Sequence, residues 1–254
     1  MQASAIAGLA TGVGAVPVLG IRRLSPRAED VALAFAGGVM LAATFFSLLI
    51  PGLAQARIQV HGAFAGAALV SAAVLLGALL IWIIHRHLPH EHGFKGREGG
   101  PAGVRLARAW LLVLAIALHN IPEGLAVGVG ASAEIAGIGL ASDTLTIAIA
   151  VQNMPEGLVV AIALVTIGMR RTSALLAALL SGLVEPVAGT IGAFGAALST
   201  AALPWALGLA AGAMLYVISS EIVPETHGRG HATEATFALL GGFALMLLIA
   251  GSLG

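Results

Sequence analysis

The sequence predicts an all-α integral membrane protein with eight transmembrane helices in a single domain, residues 1–254, and three observations carry that prediction. Hydrophobic residues make up 59% of the chain, charged residues only 9%, and the mean hydropathy is +1.01, a balance foreign to soluble folds. The apolar residues fall into eight runs, each long enough to cross a hydrocarbon core and each bounded by charges or turn residues. Two of these runs nearly repeat one another: residues 116–129 and 149–162 share eight identities in fourteen positions.

Taken in order, the crossings are expected near 4–21, 31–53, 62–85, 106–131, 143–168, 173–199, 202–223 and 233–253. The first is long enough for a signal peptide. However, its positive residues Arg22, Arg23 and Arg27 follow the apolar run instead of preceding it, so it reads as a retained helix. The second ends in Pro51 and the third in the His85–His87 stretch. A polar, histidine-containing loop over about 86–105 separates the third from the fourth. The fourth and fifth carry the near-repeat. The sixth contains Glu185 followed by Pro186, and the seventh runs toward Glu221, Glu225 and His227.

Orientation follows from the basic residues, which accumulate in cytoplasmic loops. The odd-numbered loops hold Arg22, Arg23, Arg27, Arg86, Lys95, Arg97, Arg105, Arg108, Arg170, Arg171 and Arg229, and only Arg57 lies opposite. Both termini are therefore expected outside, so the fourth helix runs outward and the fifth inward. Similar sequence in opposite orientation implies a pseudo-twofold axis in the membrane plane. The second and seventh runs echo the same relation: Ala36-Gly37-Gly38-Val39-Met40-Leu41 against Ala210-Ala211-Gly212-Ala213-Met214-Leu215. Ser47 stands four residues before Pro51, as Ser220 stands before Pro224. The expectation is an inverted repeat of helices 1–3 and 6–8 around a central antiparallel pair, 4–5.

The chemistry is concentrated in His119-Asn120-Ile121-Pro122-Glu123-Gly124 and its near-copy Gln152-Asn153-Met154-Pro155-Glu156-Gly157. Each puts an imidazole or amide four residues before a carboxylate, on one helix face. A charge near the bilayer centre costs roughly 2.5–3.5 kcal/mol on insertion scales, so such carboxylates usually mark a site or pathway. Because the helices are antiparallel, His119 comes level with Glu156, and Glu123 with Gln152. These two tiers lie roughly 6 Å apart at 1.5 Å rise per residue. Carboxylates that bridge the tiers would hold two cations about 3.5–4 Å apart. Glu185 falls at similar depth. Interhelical hydrogen bonding is the plainer reading of these polar groups, but three glutamates at one level are a costly adhesive, and a dication offsets their charge directly.

These motifs and the eight-helix plan resemble the ZIP (ZRT/IRT-like) family of divalent metal transporters, in its prokaryotic form, over essentially the whole chain. The resemblance implies one metal position built from His119, Glu123, Gln152 and Glu156, with Met40 as a soft ligand. It implies a second built from Asn120, Asn153 and Glu185 that shares Glu123 and Glu156. Some relatives carry aspartate where this chain has Asn153. It also implies a multi-pass protein of the plasma membrane, the inner membrane in a bacterium. An elevator-like movement of helices 1, 4, 5 and 6 against 2, 3, 7 and 8, and a homodimer, are implied as well.

Several residues keep two readings. His85, His87, His90 and His92 either bind metal loosely or belong to a solvated linker. Glu221, Glu225 and His227 form either an exit path for the ion or an ordinary polar helix end. Glu134 and Asp143 make either an anionic vestibule or plain helix termini. The substrate expected is Zn²⁺, with Fe²⁺, Mn²⁺ and Cd²⁺ as alternatives, because mixed His, Gln, Asn and Glu ligands do not select sharply among divalent ions. The partners expected are divalent metal ions and the lipid bilayer. Zero net charge gives no basic patch for nucleic acid, and the lack of cysteine excludes disulfides and thiolate sites. A metal-selective channel would use the same ligands. An intramembrane metalloenzyme would need H-E-x-x-H or paired E-x-x-H motifs, and neither occurs, so no enzymatic activity is expected.

The distribution of basic residues yields a direct test. A Ser173→Cys variant, in the cysteine-free chain, should react with an impermeant thiol reagent only from the cytoplasmic side. Labelling from outside intact cells would invert the topology.

Overall fold

The computed structural model describes residues 2–21, 23–87, 90–92, 96–98, 108–135 and 142–253. Arg22, Lys95 and Arg105, used above to set orientation, lie outside these residues. So do residues 136–141, between Glu134 and Asp143.

The chain forms eight long helical segments: α1 Gln2–Leu19, α2 Pro26–Gln59, α3 Ala63–His87, α4 Arg108–Ile135, α5 Asp143–Thr166, α6 Arg171–Ala197, α7 Leu203–His227 and α8 Ala232–Ser252. All but α4 contain 18-residue stretches with mean hydropathy between 1.4 and 2.7. The 28 residues of α4 reach about 42 Å at 1.5 Å each, ample for the bilayer core. Within the 86–105 loop, β1 (His90–His92) pairs antiparallel with β2 (Gly96–Glu98), joining His90 to Glu98 and His92 to Gly96. This ribbon is the one departure from an all-helical fold among the described residues.

Two boundaries differ from expectation for physical reasons. The second helix begins at Pro26 instead of 31, because Glu29 and Asp30 are helical residues with partners and not loop charges. Ser25 caps the helix by accepting from the Ala28 amide at 3.2 Å, and Pro26 supplies a pre-set φ at the first position. Arg229 holds Glu29 at 2.9 Å, and His231 holds the fully buried Asp30 at 2.8 Å. At its other end α2 continues past Pro51 to Gln59, where 53 was expected. A π-helical turn, Thr44–Leu49, widens the ladder just before the proline and lets the helix absorb the missing donor. A second π-turn, Ile218–Ile222, precedes Pro224 in α7 in the same way.

Packing groups the helices into close pairs: α1 with α5, α4 with α6, α2 with α8, and α3 with α7. Each pair contains a glycine whose place a side chain cannot take. A Cβ at Gly14 of α1 would lie 2.0 Å from the Met154 carbonyl oxygen of α5, and one at Gly128 of α4 would lie 1.9 Å from that of Gly189 in α6. At Gly38 of α2 it would meet Leu239 of α8 at 1.9 Å, and at Gly212 of α7 it would meet Val74 of α3 at 2.0 Å. Association in lipid relies on such backbone approach, since burial of apolar surface gains little there. Helix α1 also packs on α6, which joins α1, α4, α5 and α6 into one group. That group meets α2, α3, α7 and α8 chiefly through α2 on α5 and α7 on α4. Among the described residues, no glycine approaches a backbone across that boundary within 3 Å. The helices α2 and α7 are the most enclosed (61% buried), whereas α3 and α8 are mostly exposed at 22% and 17% buried.

Packing this close makes a sharp stability prediction. Gly128→Ala must push α4 from α6 and should destabilise by about 1–3 kcal/mol, the usual cost of overpacking. Gly241→Ala, where an added Cβ meets nothing within 4 Å, should be neutral or slightly stabilising. Thermal unfolding in detergent separates the two, and equal melting temperatures would remove the close-packing argument.

Candidate functional site

Helices α4, α5 and α6 bring their polar residues to one level in the interior. Pro122 and Pro155 lie inside helices that stay α-helical on both sides. In α6, by contrast, the helix breaks: Arg171–Gly182 ends, Leu183 turns, and Val184–Ala197 begins anew. The break answers the clash that Pro186 would make with the carbonyl of Gly182 in a continuous helix. It leaves Glu185 in a first helical turn, where the exposed N–H groups and the positive dipole end favour a carboxylate. Asn120 of α4 stabilises the break by donating its amide to the Ser181 carbonyl at 2.9 Å.

The carboxylates are held by amides. Gln152 Nε2 donates to Glu123 Oε1 at 2.6 Å, across α5 and α4. Asn153 Nδ2 donates both to Glu185 Oε1 at 2.6 Å and to the Ala7 carbonyl of α1 at 3.0 Å. Glu123 lies within Coulombic reach of Glu156 and Glu185, and Glu156 within reach of His119 and Glu221. Glu123, Gln152, Asn153 and Glu185 have no accessible surface, and Asn120 and Glu156 are almost as enclosed.

Each amide spends its donors, and its acceptors remain. Glu123 Oε2, Gln152 Oε1, Asn153 Oδ1, Glu156 Oε1 and Glu185 Oε2 are buried without a hydrogen-bond partner. A buried acceptor left unmade costs about 1–3 kcal/mol, and more when charged. Five in one cluster, three of them on carboxylates, form a set of lone pairs that a dication accepts. Among the described residues, no three His, Asp or Glu side chains converge closely enough to hold one ion in this arrangement.

The remaining candidates are placed as follows. Met40 of α2 is fully buried, and the Thr44 hydroxyl beside it donates to its carbonyl at 2.8 Å and lies 3.7 Å from the sulfur of Met214. His119 meets Glu221 of α7, Nε2 to Oε2 at 2.9 Å. Glu225 is engaged by Arg229, and His227 reaches Thr226 and Thr236. His87 is exposed with Nδ1 2.8 Å from the Ile83 carbonyl. His90 and His92 lie on β1, and their side chains are outside the described set. One residue escaped the sequence reading. His85, grouped there with the loop histidines, is buried at the end of α3 with Nδ1 2.8 Å from Glu221 Oε1. Its signal was position: it closes an apolar helix before Arg86, ahead of the polar loop.

Comparison with known proteins agrees with this architecture. The profile of the family described as ZIP zinc transporter matches residues 85–250. Zinc transporter GufA of Myxococcus xanthus is 46% identical over 254 residues, which covers all of this chain and 98% of that protein. Zinc transporter ZIPB of Bordetella bronchiseptica is 46% identical over 245 residues, covering 96% of this chain and 78% of the relative. Zinc transporter ZupT of Stenotrophomonas maltophilia is 35% identical over 252 residues, 95% and 91% of the two chains. With eight apolar helices, a cluster of buried carboxylates and amides, and full-length relatives at this identity, the chain belongs to the ZIP zinc transporter family.

Proposed function

We propose that this protein carries divalent metal ions, zinc foremost, across a membrane toward the cytoplasm, and that it is a transporter and not an enzyme. The observation that carries this reading is the set of five unpartnered oxygens on Glu123, Gln152, Asn153, Glu156 and Glu185. The ion's route needs a site that binds and also releases, and amide-rich ligation fits that demand better than a Cys or multi-His cage. In the proposed site, Glu123 and Glu156 bridge two positions. His119 and Gln152 serve the first, with Met40 nearby. Asn120, Asn153 and Glu185 serve the second. Fe²⁺, Mn²⁺ and Cd²⁺ are further candidate substrates, since oxygen and imidazole donors accept them all.

The proposed cycle moves α1, α4, α5 and α6 as one body against α2, α3, α7 and α8. The glycine contacts support it, because close backbone approaches at glycines lie inside each group and, among the described residues, none crosses between them. An inverted repeat is supported by the exchange of partners: α1 packs on α5 as α6 packs on α4, and α2 packs on α8 as α7 packs on α3. The π-turns, which end at Leu49 before Pro51 and at Ile222 before Pro224, fit the same relation. Both termini outside, the plasma membrane of a bacterium and a homodimer complete the proposal.

Two experiments test it. Glu123→Ala and Glu156→Ala should nearly abolish bound metal and zinc uptake, because each removes ligands from both positions. Glu185→Ala should retain about one metal per protomer, and Asn153→Asp should tighten the second position and slow release. Elemental analysis beside proteoliposome uptake decides. Equal metal loss in Glu123→Ala and Glu185→Ala would replace two shared positions by one site.

The loop histidines make the second test. Replacing His87, His90 and His92 with Ser should leave substantial uptake, since a cluster outside the membrane concentrates ions without opening their path. Complete loss in a folded variant would put the loop in the pathway.

A further inference from the structure

Helices α3, α4 and α7 meet at a carboxylate outside the proposed ion site. Glu221 sits in the π-turn Ile218–Ile222 of α7 and is 3% exposed. Its two oxygens face two imidazoles. Oε1 is 2.8 Å from Nδ1 of His85 on α3, and Oε2 is 2.9 Å from Nε2 of His119 on α4. The His85 ring stands edge-on to Tyr216 of α7 with centroids 5.7 Å apart, so its direction is set by packing as well as by the carboxylate. Glu221 is thus held from behind by α3 and α7 while its other oxygen reaches across to α4. The hydrogen bonds and ion pairs between helices named above lie within one helix group or the other, except this one, while Glu221 also lies within Coulombic reach of Glu156 on α5. The His119–Glu221 contact joins the group that carries the ion site to the group that frames it.

We propose that Glu221 is a latch for the empty transporter: it holds His119 by Nε2, and an ion that recruits this nitrogen as a ligand must displace the carboxylate. The inference rests on the metal site and the two moving groups proposed above. One ring nitrogen cannot direct its hydrogen at Glu221 and its lone pair at a cation at once. With His119 engaged with Glu221, no three His, Asp or Glu side chains among the described residues are placed to hold one metal ion. Loading the site therefore frees α4 from α7, and unloading lets the contact reform. His85 acts as a positioning residue: it keeps the carboxylate aimed at α4. A charge-assisted hydrogen bond is among the stronger local contacts, so competition with it lowers the apparent affinity of the site for its ion.

The test is zinc affinity, measured by competition with a chromophoric chelator on the purified full-length protein, beside uptake kinetics in proteoliposomes. Removing the latch partner should strengthen binding, the opposite of removing a ligand. Glu221→Leu should bind Zn²⁺ about fivefold more tightly and show a lower KM together with a lower kcat. Glu221→Gln, which keeps shape and a weaker acceptor, should change both in the same direction by less. His85→Phe, which keeps a ring against Tyr216, should do likewise. In a His119→Ala background, Glu221→Leu should leave affinity unchanged. Weaker or unchanged zinc binding in both Glu221 variants overturns the latch. Weaker binding would instead make Glu221 a supporting partner that sharpens His119 as a ligand. If those variants fail while His119→Ala and Glu156→Ala still lose zinc, the site stands without the latch. If His119→Ala and Glu156→Ala bind zinc normally, the site and the latch fall together.

Discussion

Carboxylates enclosed among apolar helices are the constraint on which the rest of this structure depends. Glu123, Glu156 and Glu185 come from three helices and are almost wholly removed from solvent. A membrane interior offers no water to accept their charge. Every surrounding feature answers that cost in part. Gln152 and Asn153 each give a 2.6 Å hydrogen bond to one oxygen, and the restart of α6 at Val184 offers Glu185 the positive end of a half-helix. At Glu123 and Glu185 the compensation stops halfway, at one oxygen each. That leaves the residual lone pairs for an ion, and a fully satisfied network would have none to offer.

The same economy governs the backbone. Prolines that would break a soluble helix are absorbed here in three ways. Pro122 and Pro155 sit in continuing α-helix, Pro51 and Pro224 follow π-turns, and Pro186 accompanies a true break. The π-turn of α7 carries Glu221, and the break of α6 carries Glu185, so irregular backbone coincides with the ionisable residues. In hydrocarbon such irregularity persists only where protein or a polar cavity satisfies the freed groups. Glycine packing supplies the enclosure. Close glycine contacts lie within each helix group and, among the described residues, none reaches a backbone across the boundary, as the proposed movement of one group against the other requires.

Much of this was legible in the chain. Eight helices and their spans to within a few residues follow from hydropathy, and two six-residue motifs supply residues of the candidate site. The reason is that the bilayer imposes length and polarity rules on each segment separately. Legibility failed where a charge had a distant partner. Glu29 and Asp30 looked like a loop until Arg229 and His231, about two hundred residues away, turned them into the first turn of α2. His85 looked like one more loop histidine until α7 presented Glu221 to it.

The sequence by itself determined the membrane-spanning class, the helix count and the depth of the polar residues, because each is a local property of composition and 1.5 Å spacing. Tertiary structure alone decided which partner each polar group takes. His119, expected level with Glu156 on α5, lies within reach of that carboxylate and takes its close contact from Glu221 on α7, while Asn120 supports the broken α6. Spacing along one helix fixes the face and height of a side chain but not the identity of the helix opposite. That identity emerges only when all eight helices pack together.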